Sequence, residues 1–138
     1  MYEILKAFAA SNNLPFEYGR ADFNNLHDSA EQKNVSHIFL DPVEISDIDN
    51  DSGVTEKKVH SGSFMILYSS DIDEISYDDR YQKYIKTVVT GDLISIKDEL
   101  RCNSEVVFDM WKVQEVINIF DYNFDGVICT FQLTFDLS

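Results

Sequence analysis

The sequence predicts a single α+β domain over residues 1–138. Two apolar stripes with helical spacing and a C-terminal hairpin with strict alternation predict this class. Their order supports it, because strands grouped between two helical segments are typical of helices packed on an antiparallel sheet. We therefore expect an antiparallel sheet with an N-terminal helix and a long second helix packed on it.

Residues 1–12 are predicted to form the first helix, which Pro15 prevents from continuing. Four apolar residues share one face of it: Ile4, Leu5, Phe8 and Ala9. A short strand over 16–20 and a polar surface loop over 21–34 are expected next.

A strand over 35–40 and an apolar strand over 63–68 enclose a polar segment that predicts a protruding β-arm over 44–60. Its tip is a turn over 47–53, where Asp, Asn, Ser and Gly cluster. The candidate assembly residues of this arm are Glu44, Asp47, Asp49, Asp51, Gly53, Lys57 and Lys58.

A long second helix is expected to begin near Asp78, since acidic residues suit the positive end of a helix. Its apolar stripe comprises Tyr81, Tyr84, Ile85, Val88, Val89, Leu93, Ile96 and Leu100. Gly91 interrupts it, which predicts one helix with a weak point or two helices that meet there.

The last third of the chain is predicted to be a long antiparallel hairpin. Residues 127–137 alternate apolar and mostly polar side chains, which indicates a strand with one dry face. In the preceding strand one face carries Trp111, Val113, Ile117 and Ile119, and only Glu115 interrupts it. The candidate tip of this hairpin consists of Asp121, Asn123, Asp125 and Gly126.

The net charge of −14 argues against an ordinary nucleic-acid-binding protein or a protein that docks on anionic membranes. Two interpretations of this negative charge remain. It gives either a well-solvated surface that resists non-specific association, or a surface that lets DNA pass without binding it. No apolar run is long enough to span a membrane, and residues 1–12 do not resemble a secretory signal.

No catalytic, cofactor-binding or metal-binding residues are predicted. The spacing of Asp121, Asn123 and Asp125 matches half of an EF-hand loop, but its twelfth position is Gln132. Turn chemistry is therefore the preferred interpretation there, and a solvated acidic tip is preferred for the arm. Scattered histidines predict no zinc site, and Cys102 and Cys129 are expected to be reduced thiols.

Residues 111–135, with the pattern VINxFDxNxDGVxxxFxL from Val116 onward, resemble the C-terminal hairpin of small bacteriophage tail proteins. The order of elements is also similar to that of the tail-terminator and tail-completion family. The resemblance implies a virion structural protein that forms a homo-oligomeric ring in a tail or head-to-tail connector. Portal, adaptor or tail-tube proteins would be its partners, and DNA would pass through without specific binding. Assembly would take place in the host cytoplasm, before genome ejection from the virion.

Two other classes remain open from the residues alone. One is an acidic monomeric or dimeric protein-binding module, of the inhibitor or immunity type, whose charge attracts a basic partner. The other is a small enzyme or ligand-binding protein, which would need a deep pocket with converging polar groups. We favour a protein that is not an enzyme.

Overall fold

A computed structural model describes residues 1–19, 36–69, 76–103, 105–119 and 124–137. Helix α1 (Tyr2–Ser11) is followed by strands β1 (Phe16–Tyr18), β2 (Ser36–Leu40), β3 (Glu44–Asp49) and β4 (Thr55–Ser69). A second helical region contains α2 (Tyr77–Arg80), a π-helical turn (Tyr81–Ile85), α3 (Lys86–Thr90) and α4 (Asp92–Asn103). Strands β5 (Val106–Ile119) and β6 (Phe124–Asp136) form the C-terminal hairpin. The predicted α+β class is confirmed, and the predicted loop over 21–34 lies outside the described residues.

All the strands belong to one sheet, in which the order is β1-β2-β4-β6-β5. Strand β3 lies end to end with β2, since both pair with the same side of β4. The prediction of a wholly antiparallel sheet is corrected at one place, where β1 runs parallel to β2. A parallel neighbour needs a crossover of a dozen or more residues, and the stretch between these two strands is long enough for one.

The main core lies between the helices and one face of the sheet. Strand β6 contributes every second residue to it: Val127, Cys129, Phe131 and Leu133. The helices contribute Leu5, Ala9, Ile85, Val88, Ile96 and Leu100. This face is called the helix face below. The apolar stripes and the alternation in β6 therefore meet as predicted.

A smaller core lies on the opposite face of the sheet and contains Phe39, Met65, Leu67 and Phe124. Strand β2 is buried at every position, because its alternate residues enter the two cores. Strands buried on both faces have continuous apolar sequences, as the run from Ile38 to Leu40 does.

The second helical region is interrupted where the sequence predicted, because Gly91 separates α3 from α4. A Cβ on this glycine would lie 2.9 Å from the carbonyl oxygen of Thr87. The predicted apolar stripe faces the core from Tyr84 onward, but the prediction is wrong at Tyr81, which is exposed. The π-helical turn adds a residue to the helix, and Arg80 is buried in its place.

Candidate functional site

Strands β3 and β4 form the predicted arm as a hairpin. The side-chain oxygen of Asn50 accepts hydrogen bonds from the backbone N–H groups of Ser52 and Val54, at 2.9 and 3.0 Å. Gly53 has a φ of +75°, which a glycine adopts without strain. The turn is therefore built by Asn and Gly residues, as predicted, but it is shorter than the predicted 47–53, because β3 continues to Asp49.

The arm has only one open side. Every residue of β3 is exposed, whereas β4 is paired with β6 from Lys57 to Ser69. Within the ranges described above, no strand pairs with the outer side of β3. The arm is thus an extension of the sheet with an open edge, not a free-standing ribbon.

Three charged residues of the arm, Lys58, Asp47 and Asp49, have partners within the arm. Lys58 Nζ lies 3.4 Å from Asp47 Oδ1, and the hydroxyl of Thr55 donates to Asp49 at 2.7 Å. Glu44 and Asp51 are exposed, and Lys57 lies on the opposite face of β4 from Lys58. Across the described segments, no three His, Cys, Asp or Glu side chains are grouped so as to hold a metal ion.

The other edge of the sheet is β5, which pairs only with β6 among the strands that the structure describes. Its exposed apolar side chains are Val107, Met110, Val113 and Ile117. Glu115 pairs with Val127 and therefore lies on the helix face, as Trp111 and Val113 do, but its side chain is exposed there. Exposed apolar edge strands favour pairing with another strand, although the two irregularities in β5 limit the length that can pair.

The strand predicted to carry Trp111, Val113, Ile117 and Ile119 on one face does so only in part. Trp111 and Val113 lie opposite Phe131 and Cys129, on the helix face. An irregularity between Val116 and Ile119 then changes the alternation, and Ile119 pairs with Phe124. Lys97 of α4 lies over the ring of Trp111, with 5.6 Å from Nζ to the ring centroid.

A groove of about 820 Å³ lies on the helix face at the base of the arm, beside the first turn of α1. It is called the arm groove below. Its apolar walls include Ile4, Tyr18, Val43, Ile45, Phe135 and Leu137. The groove exists because the sheet extends past α1 there, so Ile45 of β3 stays exposed and Phe135 of β6 is only half-buried. The sequence did not predict it, since the alternation of apolar residues does not show where the covering layer ends.

Lys58 and His60 are the polar residues that β4 presents to the arm groove. The imidazole of His60 packs against the ring of Phe135, with 4.8 Å between centroids. Burial lowers the pKa of His60 below its ordinary value, and the positive charges of the N-terminal amino group of Met1 and of Lys58 lower it further. The charged and titratable side chains of this groove are therefore Lys58 and His60 on β4 and the carboxylate of Glu3 on α1.

The predicted tip of the C-terminal hairpin is corrected, because β6 begins at Phe124 and includes both Asp125 and Gly126. Asp121 and Asn123 lie outside the described residues. Asp125 is fully buried on the helix face, and its Oδ2 lies 3.0 Å from Nε of the buried Arg80. The sequence contained a signal, since Asp125 continues the alternation of Val127 and buried carboxylates are commonly paired with a cation.

Gly126 allows β4 and β6 to approach each other. A Cβ at this position would lie 2.0 Å from the carbonyl oxygen of Ile66, which is far inside van der Waals contact. The Asp-Gly pair that predicted a turn therefore serves the buried start of a strand.

A polar cluster joins α4 to the sheet near the same end. The hydroxyl of Ser36 donates to Asp92 at 2.9 Å, and burial together with the charge of Asp92 raises the pKa of Tyr68. A raised pKa keeps the phenol protonated, so this cluster is suited to positioning α4 and not to nucleophilic chemistry.

Both cysteines are free thiols, with Cys102 exposed and Cys129 in the core. Burial raises the pKa of Cys129 to about 12, so its thiol is protonated and unreactive at neutral pH.

None of the helices in the described part of the chain is long and apolar enough to cross a membrane. Comparison with protein-family models gives no match to this sequence, and comparison with curated proteins gives none either.

Proposed function

We propose that this chain is a virion structural protein that forms a ring in a phage tail or head-to-tail connector, where it joins or caps assemblies around the DNA channel. The observation that carries the proposal is the pair of open edges, β3 and β5, on opposite sides of one sheet. A subunit with two such edges can add a neighbour on each side.

Strand direction favours head-to-tail addition. Strands β3, β4, β6 and β5 alternate in direction, because each is antiparallel to the next. A second copy in the same orientation would therefore set its β5 antiparallel to β3 of the first, and the alternation would continue. Contacts of this heterologous kind close into a ring when the rotation between subunits divides a full turn.

The charge of the chain fits a DNA channel and sets a limit on self-association. Each subunit carries a net charge of −14, which repels phosphate and would let DNA pass without adhesion. The same charge opposes assembly at low ionic strength, so strand pairing must outweigh it. The resemblance of residues 111–135 to phage tail proteins concerns the strands β5 and β6 that would build the ring wall.

The test is the solution mass of the purified protein, measured by light scattering after size exclusion over a range of concentrations. We expect one discrete ring species, such as a hexamer or dodecamer. Val107→Lys places a charge on the β5 edge and should shift the protein to monomer, since edge lysines block strand pairing.

Val54→Lys is the matched control. Val54 is as exposed as Val107, at 59% against 60%, but it lies in the arm turn outside every strand. The control should keep the mass of the wild-type protein. A monomer at every concentration would contradict the ring and favour the alternative, an acidic protein-binding module, which then predicts binding to a basic partner.

A further inference from the structure

The arm groove has the form of a small-molecule site that lies within one subunit. Its volume of about 820 Å³ falls in the range of ligand pockets, and apolar and aromatic side chains make up most of its lining. Its walls come from α1, β3 and the end of β6, and β4 forms the floor. Such a groove would accommodate an extended apolar chain.

The hydrogen-bond donors that β4 presents to the groove indicate where the polar end of the ligand binds, whereas the carboxylate of Glu3 belongs to the lining from α1. Lys58 and His60 lie on the same face of β4, on either side of Val59, and both can donate a hydrogen bond. The present partner of Lys58 is Asp47, at 3.4 Å with both side chains about half exposed. An ion pair of that kind contributes little, so an incoming anion can replace it.

We propose that the arm groove binds a single-chain amphiphile with a carboxylate head, of the fatty-acid class. The carboxylate accepts hydrogen bonds from Lys58 and His60, and the alkyl chain lies against Ile45, Val43 and Tyr18. This site does not depend on the ring, since all of its residues belong to one chain.

The first test is isothermal titration calorimetry with dodecanoate, below the concentration at which it forms micelles. We expect saturable binding of one dodecanoate per chain. Dodecylamine has the same chain with the opposite charge and should bind at least about fivefold more weakly. Equal binding of the two compounds, or no saturable binding of dodecanoate, would overturn the proposal.

The wall of the groove is tested by two matched substitutions on β3. Ile45 lines the groove, whereas Ile48 is similarly exposed but lies on the opposite face of the same strand. Ile45→Asp should weaken dodecanoate binding about tenfold or more, because it removes apolar surface and repels the carboxylate. Ile48→Asp adds the same charge and should have little effect. Equal loss in both variants would contradict a site in the groove.

The head-group contact is tested in the same way on β4. Lys58→Met should weaken dodecanoate binding about two- to fivefold, and it should not weaken dodecylamine binding. Lys57→Met, on the opposite face of β4, should leave both unchanged.

If a neighbouring subunit occupied the arm groove, dodecanoate binding would differ between the assembled and the monomeric protein. If the monomeric Val107→Lys variant bound dodecanoate and the assembled wild-type protein did not, a neighbouring subunit would cover the groove and the proposal would be wrong. If only the ring proposal were wrong, the wild-type protein and all variants would be monomeric, and dodecanoate would still bind as described above.

Discussion

The centre and the edges of the sheet are built in opposite ways. At the centre, β4 and β6 are paired along their whole overlap, from the pair Lys57–Asp136 to the pair Ser69–Phe124. Helices cover most of this pairing on one face. At the edges, β3 is exposed at every position and β5 carries exposed apolar side chains. The stability of the subunit and its proposed capacity to associate therefore depend on different strands. Substitutions should therefore affect one property without the other.

The largest expected effect is at the buried ion pair in the centre. Asp125→Asn removes the carboxylate charge that lies 3.0 Å from the buried Arg80, which should cost about 3–5 kcal/mol of unfolding free energy. For a domain of this size that lowers the midpoint of thermal unfolding by roughly 10–20 °C. Calorimetry or circular dichroism during heating measures it.

The control for this prediction is Asp98→Asn. Asp98 pairs with Arg101 on the surface of α4, at 3.8 Å with both side chains mostly exposed. Exposed pairs contribute about 0–1 kcal/mol, so the midpoint should hardly move. Equal effects of the two substitutions would mean that the buried pair does not hold the second helical region on the sheet.

A second large effect is expected where β4 and β6 approach most closely. Gly126→Ala forces the backbone of Ile66 to move, which should cost about 1–3 kcal/mol or more. Gly19→Ala is the control, because no atom lies within 4 Å of the Cβ it would add. Urea titration of both variants measures the difference, and similar midpoints would show that the sheet absorbs the added methyl group.

Substitution at a sheet edge should change the unfolding free energy less than substitution at the centre does. Val107→Lys should change the unfolding free energy of the monomer by less than about 0.5 kcal/mol, since the side chain is exposed. The same substitution should abolish ring formation. Loss of stability in monomeric protein would show that β5 is part of the core after all.

Ionic strength should change the association of subunits through the sheet edges and not the packing at the centre of the sheet. Raising the salt concentration from 0.1 M to 1 M shortens the screening length from about 10 Å to about 3 Å, which weakens repulsion between acidic subunits. Assembly should therefore strengthen with salt, as measured by sedimentation. Assembly that weakens with salt would mean that specific ion pairs, not strand pairing, hold the subunits together.

The smallest effect concerns His60 in the arm groove. Its pKa is lower in the folded chain than the unfolded value of 6.5, so the unfolded state binds the proton more readily. This residue therefore contributes to a loss of stability as the pH falls through 6.5. The wild-type protein should lose more stability than His60→Gln between pH 7.5 and pH 5.5, and identical profiles would contradict the burial of this imidazole.

Periodicity predicted the elements of this fold better than their boundaries and environments. The helical stripe with Leu5 and Ala9 and the alternation from Val127 onward were correct, because each follows from the spacing of apolar residues. The role of Asp125 was missed, since an Asp-Gly pair is typical of a turn and its partner Arg80 is distant in sequence. The arm groove was missed for a related reason, as the place where α1 stops covering the sheet depends on tertiary packing.

Hydrogen exchange measured at several protein concentrations shows which strands contact a neighbouring subunit. If the edges add neighbours, the amides of β3 and β5 exchange more slowly at concentrations where the ring forms, and those of β4 and β6 are protected equally throughout. Exchange that is independent of concentration in β3 and β5, in protein that has changed its mass, would place the subunit contact elsewhere and contradict assembly through the sheet edges.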